Sequence, residues 1–309
     1  MEIFSTPKNY GLSNQNEPSQ NVILSANVRQ YPDMYYAYAK MKEHFCNDNQ
    51  EIMLGNGYEN CMKNVLLALK PKTMYWSKPA WRMVDTFCRQ LDIQPINDSF
   101  IINDINIVTN DFNNIPYADV CYLTYHTNCN FNHSNDLMVH LLHDDKFKNR
   151  FKYIIVDASY LTDSEMKSLS GVVERFKNVI VIGSYDKLVG CGLRLGFAIF
   201  NKIHSESILL QKERCINMLA YNFIMSTDFN FPISKYYEKI RKYSRLNSSI
   251  IDVTRNFIRV EGTFNTKLPH QVFKIGDKTF SKFGIPSNEC EYNGLAIVLG
   301  LPLTEINFE

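Results

Sequence analysis

Two cations stand on a glycine-rich connection in the middle of the chain. Lys187 and Arg194 lie between two apolar runs, 179–182 and 197–200, each typical of a buried strand. A cation in a dry place is costly unless an anion meets it, so this connection is expected to bind an anionic ligand. Glycine lets the backbone approach a ligand closely, and arginine offers a bidentate fork to a phosphate. A second interpretation stays open, in which both side chains extend from a loop into solvent.

A second candidate for binding an anion lies nearer the start of the chain. A short apolar run at 52–54 precedes the turn Gly55-Asn56-Gly57, and helical spacing of apolar residues predicts a helix over 60–69. A helix that follows a glycine turn presents free backbone N–H groups and the positive end of its dipole, which favours a phosphate. The same turn also occurs without any ligand, so the pattern alone is a weak indication.

An acidic residue follows the strand predicted at 153–156. Asp157 stands at the carboxyl end of that strand, which is where α/β sheets place their ligands. The interval of 30 residues from Asp157 to Lys187 fits one strand–helix–strand crossover, so both side chains are expected at the same edge of the sheet. The alternative is that Asp157 only caps the next turn.

Strand and helix patterns alternate from residue 50 to residue 200, which predicts an α/β fold with a mostly parallel central sheet covered by helices. A smaller α+β C-terminal domain is predicted to follow it. The predicted division is a flexible arm at 1–20, a large ligand-binding domain at 21–205 and a linker helix with the small domain at 206–309. For residues 21–45 of the large domain, packing on the small domain or on a partner subunit stays an open alternative. The elements predicted in the last part are a helix at 206–225, strands at 257–261, 272–275 and 295–299, and a helix at 279–283.

Composition excludes several classes of partner. The formal net charge of the 309 residues is +1, which favours neither nucleic acid nor a membrane surface. No stretch has the roughly 20 apolar residues of a membrane span, and the polar start predicts no export. The eight cysteines include no CxxC pair. They are therefore expected to be reduced thiols in a cytoplasmic protein, and no metal site is predicted.

Taken in order, these segments resemble the pyridoxal-phosphate (PLP) dependent aminotransferases of fold type I (class I/II), and most of all the histidinol-phosphate aminotransferases. The resemblance implies PLP as the cofactor and the PLP fold type I as the architecture, with residues 21–205 as the cofactor-binding domain. The motifs that carry it are Tyr31-Pro32-Asp33, Gly55-Asn56-Gly57, Pro79-Ala80-Trp81, Asn128, Asp157-Ala158-Ser159-Tyr160, Ser184 to Lys187, and Gly192-Leu193-Arg194-Leu195-Gly196.

The resemblance implies three catalytic residues. Lys187 would hold the cofactor as a Schiff base and then act as the base that moves the substrate proton. Asp157 would pair with the pyridine nitrogen, and Tyr160 would hydrogen-bond the phenolic oxygen. The same three residues are expected to bind the cofactor. The further cofactor-binding residues that it implies are Gly57, Tyr58, Glu59, Ser184 and Arg194 for the phosphate, Tyr31 for the phosphate of a neighbouring subunit, Trp81 for stacking on the ring, and Asn128 for the phenolic oxygen.

Two of these residues keep ordinary alternatives. Trp81 is also a candidate for core packing, and Tyr31 is a candidate for a plain Tyr-Pro turn. If Tyr31 does reach across to the neighbouring subunit, the protein is a homodimer.

The activity implied by the resemblance is that of a transaminase of the EC 2.6.1 type in amino-acid metabolism. Its substrates would be a small amine or amino acid and a keto acid, with donor and acceptor left open. Two alternatives stay open beside it. One is a PLP-dependent decarboxylase of an amino acid or phospho-amino acid, and the other is a non-catalytic binding protein that keeps the fold.

Three departures from the family pattern motivate the alternatives. Asp186 stands where the family has a phosphate-binding serine, and a carboxylate there repels a dianion unless it turns away or meets Arg194. The interval from Lys187 to Arg194 is one residue shorter than in the family. Ala296 stands where the family has its substrate-binding arginine. The candidates to replace that arginine are Arg29, Arg255 and Arg259, with a solvated surface position as the alternative for each.

Overall fold

The structure is a computed structural model of the chain. Among its described residues, those from 34 to 229 form one compact unit and those from 235 to 303 form a second. The described residues are 34–78, 81–99, 116–124, 148–160, 163–187, 189, 192–211, 215–229, 235–244, 247–253, 257–275, 277–286 and 288–303. Within these ranges, no helix combines the length and the apolar character needed to cross a bilayer.

The larger unit is built on a seven-stranded sheet with the order β1-β7-β6-β5-β4-β2-β3. Its strands are β1 (Gln50–Asn56), β2 (Thr73–Lys78), β3 (Gln94–Ser99), β4 (Ala118–Thr124), β5 (Phe151–Asp157), β6 (Val179–Ser184) and β7 (Leu195–Asn201). Only β7 runs against its neighbours, β1 and β6, and every other pair is parallel. The carboxyl ends of β1, β4, β5 and β6 therefore meet at one edge, as predicted for an α/β fold with a mostly parallel sheet.

Helices cover both faces of this sheet. They are α1 (Met34–Phe45), α2 (Tyr58–Leu69), α3 (Met83–Gln90), α4 (Asp163–Arg175), α5 (Ser205–Leu209) and α6 (Met218–Ser226). Successive residues of a strand point to opposite faces. Accordingly Ala198 of β7 joins the core cluster that includes Met62 of α2, while its neighbour Phe197 stacks on Phe45 of α1 with ring centroids 5.2 Å apart. Since both faces are covered, every position of β6 and β7 is buried, and these strands read as unbroken apolar runs.

The smaller unit is an antiparallel sheet with two helices. The strand order is β10-β11-β9-β8. Its elements are α7 (Lys235–Ser244), β8 (Ile250–Val253), β9 (Phe257–Glu261), β10 (His270–Ile275), β11 (Lys278–Gly284) and α8 (Glu289–Leu299). Tyr236 of α7 stacks on Tyr292 of α8 at 5.6 Å, and both belong to the core of this unit. Arg259 of β9 is fully buried and pairs in register with Lys282 of β11, so the solvated alternative for Arg259 is wrong.

Two predictions for this unit are wrong. The helix predicted at 279–283 is the strand β11, because it is paired on both sides, with β10 and with β9. The strand predicted at 295–299 is part of α8. Asn288 caps that helix by accepting a hydrogen bond from the Glu291 amide, and Gly300 ends it in a left-handed conformation. Ala296 is therefore a buried residue of α8 and does not occupy the strand position at which the substrate-binding arginine was expected.

The linker helix predicted at 206–225 is also wrong as a single helix. The structure has the short helix α5 and then α6, which begins at Asn217, whose side chain accepts a hydrogen bond from the Ala220 amide. A cap of this kind starts a new helix. The predicted division into residues 1–20, 21–205 and 206–309 stays a prediction, and residues 1–33 lie outside the described ranges.

Candidate active site

Asp157 ends strand β5 as a buried carboxylate with hydrogen-bond donors on both oxygens. Its Oδ1 accepts from the amide and the hydroxyl of Ser159 at 2.9 and 2.7 Å, and its Oδ2 accepts from the Tyr122 hydroxyl at 2.5 Å. Burial raises the pKa of Asp157 above its ordinary value of 3.8, against the lowering effect of these donors. Asp157 therefore caps its own turn, as the alternative interpretation held, but it also turns one oxygen toward the interior of the site.

Tyr58, the first residue of α2, lies beside this carboxylate. Its hydroxyl is buried and makes no hydrogen bond of ordinary geometry within the described part of the chain, although it lies close enough to Tyr122 and Asp157 to influence the pKa of both. Burial and the neighbouring Asp157 raise the pKa of Tyr58 well above 10.0. The Tyr58 ring packs edge-on against Trp81, with centroids 5.3 Å apart. A buried hydroxyl without a partner is costly, so this end of the site has an unused donor.

Trp81 is half-buried and lies between Tyr58 and Phe87, both of which belong to the core. Its ring contacts Phe87 edge-on at 6.0 Å, and it packs against the cluster beneath α2 and α3. One part of the Trp81 ring therefore packs in the core, as the alternative interpretation held. The half-buried remainder of the side chain stays available to a ligand.

The amino end of α2 meets Arg194. Gly57 caps the helix with φ 87° and no side-chain cap, so the first amides of α2 are left for another acceptor. The Arg194 guanidinium lies against Gly57, because a Cβ added there would be 2.9 Å from its Cζ. Gly196 permits this approach: a Cβ added to it would be 2.4 Å from the Gly57 carbonyl carbon and 2.8 Å from the Tyr58 nitrogen. The strand β7 and the helix end thus come together at glycine contacts.

Asp186 meets Arg194, which decides between the two orientations that the sequence left open. Its Oδ2 lies 3.4 Å from Nη1 of Arg194, and its Oδ1 accepts from the Leu195 amide at 3.1 Å. Ser184 serves the same turn, since its hydroxyl accepts from the Asp186 amide and donates to the Leu195 carbonyl. Burial raises the pKa of Asp186, and Arg194 lowers it. The Ser184 donor that was predicted for a phosphate is thus used within the protein.

Lys187 follows Asp186 on the connection after β6. The side chain is half-buried, and its Nζ lies 5.8 Å from the ring centroid of Tyr160, which is buried. Tyr160 stands three residues after Asp157, so the lysine and the carboxylate approach one edge of the sheet from neighbouring strands β5 and β6. An ammonium over an aromatic face is a favourable contact.

The structure therefore brings most of the predicted residues to one edge of the larger unit. Glu59 is exposed in the first turn of α2, and Tyr31 and Asn128 lie outside the described residues. The residues at this edge are Gly57, Tyr58, Trp81, Asp157, Tyr160, Ser184, Lys187 and Arg194. Sequence reasoning missed Tyr122 and Ser159. A tyrosine inside an apolar strand was a signal for Tyr122, because a buried hydroxyl needs a partner. The roles assigned to all these residues stay predictions.

Solved structures share this architecture from end to end. The histidinol-phosphate aminotransferase from Clostridium acetobutylicum has a TM-score of 0.71 and 17% identity, over 94% of this chain and 98% of that one. The chain has the fold of the PLP-dependent aminotransferases. The predicted resemblance and fold class are confirmed in this sense, and identities this low show the fold alone. No protein-family model and no curated protein sequence matches the chain.

Two further structures widen the comparison. A PLP-bound putative aminotransferase from Clostridium difficile 630 has a TM-score of 0.67 and 12% identity, over 91% of this chain and 86% of that one. An L-threonine-O-3-phosphate decarboxylase from Porphyromonas gingivalis has a TM-score of 0.64 and 16% identity, over 88% and 93%. The aminotransferase fold therefore extends to a decarboxylase, and the fold does not select the reaction.

The residues present fit PLP. The glycine cap of α2 and the Arg194 guanidinium form a cradle that a single Cβ at Gly57 would fill. At the other end stand a buried carboxylate that suits a protonated ring nitrogen and the unused Tyr58 hydroxyl. The Lys187 amine is the group that would meet the aldehyde. The departure is Asp186, which already pairs with the arginine at the phosphate end.

Proposed function

We propose that this protein is a PLP-dependent aminotransferase, similar to the histidinol-phosphate aminotransferases, with Lys187 as the cofactor lysine. One observation carries the proposal: Lys187 and the buried Asp157 stand at the carboxyl ends of adjacent parallel strands, joined by one crossover. Neither a buried carboxylate nor a lysine after the next strand stabilises a fold in general, since a charge leaves water at a cost. A reacting ligand explains both.

PLP, when bound, supplies an aldehyde for amines and a ring that accepts electrons from the substrate α-carbon. Lys187 would be the residue that holds the cofactor through its aldehyde. Once displaced by an amine substrate, Lys187 Nζ would be free to accept the proton of the substrate α-carbon and to deliver it to the carbon that carried the aldehyde. Asp157 would hold a protonated ring nitrogen, and Tyr122 keeps the Asp157 Oδ2 in position through its 2.5 Å hydrogen bond.

The remaining residues bind and orient. Arg194 and the first amides of α2 would hold the phosphate end, since an arginine fork and a helix amino end both favour an anion. Trp81 would cover one face of the ring and exclude water from it. Tyr160 lies beside Lys187 Nζ and orients it. The substrates we propose are a small amine or amino acid and a keto acid, in a cytoplasmic homodimer.

A decarboxylase is the second candidate. The L-threonine-O-3-phosphate decarboxylase has this fold, and the same lysine, carboxylate and arginine would serve loss of CO₂ from the α-carbon. Dependence of turnover on a keto acid supports transamination, and release of CO₂ without a keto acid supports decarboxylation.

The first experiment is titration of the purified protein with PLP, followed by borohydride reduction and peptide mapping. We expect a visible absorbance band and a reduced adduct on Lys187. Lys187→Ala should lose both the adduct and all turnover while its unfolding curve stays that of the wild type, because the side chain is half-buried at an edge. Lys202→Ala, which removes an exposed lysine, is the matched control and should change nothing. An unmodified Lys187 in a protein that binds no PLP would contradict the proposal and favour a non-catalytic binding protein.

A further inference from the structure

Asp186 is held where an anion bound by Arg194 would compete with it. Only 6% of the residue is exposed, and its carboxylate takes one bond from the Leu195 amide and one from the Arg194 guanidinium. The Asp186 amide itself is anchored on Ser184. The carboxylate is therefore fixed by its own turn, on both oxygens, and is not a flexible surface group.

Arg194 is positioned to serve an anion at the helix end. Its guanidinium lies against Gly57, the cap of α2, and its side chain is 50% exposed. The backbone of Arg194 has φ 49°, a conformation that non-glycine residues adopt at a cost. The guanidinium thus lies between two groups: the amino end of α2, which has no side-chain cap among the described residues, and the Asp186 carboxylate.

A phosphate at this cradle must approach a second negative charge. At a few ångströms, like charges in a partly buried site repel by an amount comparable to a good ion pair. The arginine cannot give its full fork to the phosphate while one nitrogen stays with Asp186. Ser184 adds no donor, since its hydroxyl already donates to the Leu195 carbonyl.

We propose that Asp186 is the internal counter-anion of Arg194, so that the site binds the phosphate of its cofactor weakly and recognises the cofactor chiefly through Lys187 and Asp157. This inference rests on the proposed function and deepens it. Its consequence is that pyridoxal, which has the ring and the aldehyde but no phosphate, binds nearly as well as PLP.

The test compares PLP, pyridoxal and inorganic phosphate on three full-length proteins: wild type, Asp186→Asn and Asp186→Ser. Asparagine keeps an acceptor for the Leu195 amide and removes only the charge. Binding of the two pyridoxal compounds is followed by absorbance, and phosphate binding by calorimetry. Glu206→Gln, which neutralises an exposed carboxylate on α5, is the control for a change in net charge.

We expect the wild type to prefer PLP over pyridoxal by no more than about tenfold. Asp186→Asn should tighten PLP and inorganic phosphate by roughly tenfold, and leave pyridoxal unchanged, because one repelling charge is removed. Glu206→Gln should leave all three affinities as they are.

Several results would overturn the inference. One is an unchanged or weaker affinity for PLP and phosphate in both Asp186 variants. Another is a wild type that prefers PLP over pyridoxal by a factor of a thousand, and this readout holds even if neither variant folds. Failure of the proposed function has its own sign. If none of the proteins forms a reduced adduct on Lys187, the proposed function is wrong, and the binding of inorganic phosphate alone then tests the role of Asp186.

Discussion

Gly196→Ala tests how the site is assembled. In β7 this glycine faces the turn before α2, and a Cβ there would be 2.4 Å from both the carbonyl carbon and the oxygen of Gly57. Carbon atoms need about 3.5 Å or more, so one of the two backbones must move by about 1 Å. Neither is free to do so, because Gly196 pairs with Gly55 on one side and with Ser184 on the other.

Overpacking of a filled core costs about 1–3 kcal/mol, and a contact between two backbones belongs at the upper end of that range. For a unit of this size, about 3 kcal/mol lowers the melting temperature by roughly 6–12 °C. The same displacement carries the Tyr58 amide away from the cradle, so we also expect weaker binding of PLP. Thermal unfolding by circular dichroism and the PLP titration measure the two effects on the same sample.

Gly171→Ala is the matched control. Gly171 lies inside α4, and a Cβ there meets nothing within 4 Å, so the change should stabilise the protein by up to about 1 kcal/mol through helix propensity. The same substitution is therefore expected to lower the melting temperature at Gly196 and to raise it at Gly171. If Gly196→Ala melts at or above the wild-type temperature, the close approach of β7 to α2 does not exist and the cradle described here is wrong.

Two further predictions concern the buried carboxylate. Because burial raises the pKa of Asp157 above 3.8, its ionisation costs stability as the pH rises past that value. Measured by urea unfolding, the stability of Asp157→Asn relative to the ligand-free wild type should therefore rise as the pH increases above about 4. Its turnover should fall at least about a hundredfold. A stability difference that stays constant across pH would contradict the assignment. Tyr122→Phe removes a hydrogen bond to a charged group and should cost about 2 kcal/mol. Tyr58→Phe removes a buried hydroxyl that makes no hydrogen bond of ordinary geometry, so it should be neutral or stabilising by up to about 1 kcal/mol. Equal losses in the two tyrosine variants would refute the description of this network.

The larger unit could be predicted from sequence because its signals are local and agree with one another. The apolar runs around 179–200 are buried on both faces, and glycines mark the turn before α2, so strand, turn and helix follow in the predicted order. The interval between Asp157 and Lys187 is a crossover, which fixes the edge at which both residues stand. Such predictions need only pattern and length.

The smaller unit could not be predicted as well, because short apolar runs fit a helix or a strand equally. At 279–283 the outcome was decided by pairing with β10, the other strand of a hairpin, and with the more distant β9. At 295–299 it was decided by the Asn288 cap and Gly300, which lie outside the run. The hydrogen-bond partners of the site residues are equally hard to predict from the local sequence. Tyr122 reaches Asp157 only because β4 and β5 pair in one register, and nothing in the local sequence states that register.

Each end of the site contains a buried carboxylate, and the two carboxylates differ in the groups that hold them. Asp157 is held by neutral hydroxyl and amide donors, so its charge stays unneutralised and available to a protonated ring. Asp186 is held by a cation, so its negative charge is already paired with Arg194. A ligand gains a new ion pair at the first carboxylate and must break one at the second. Since a partly exposed ion pair contributes about 1 kcal/mol or less, the broken pair weakens a phosphate without excluding it. On the proposal above, the ring and the lysine would then contribute more to ligand binding than the phosphate.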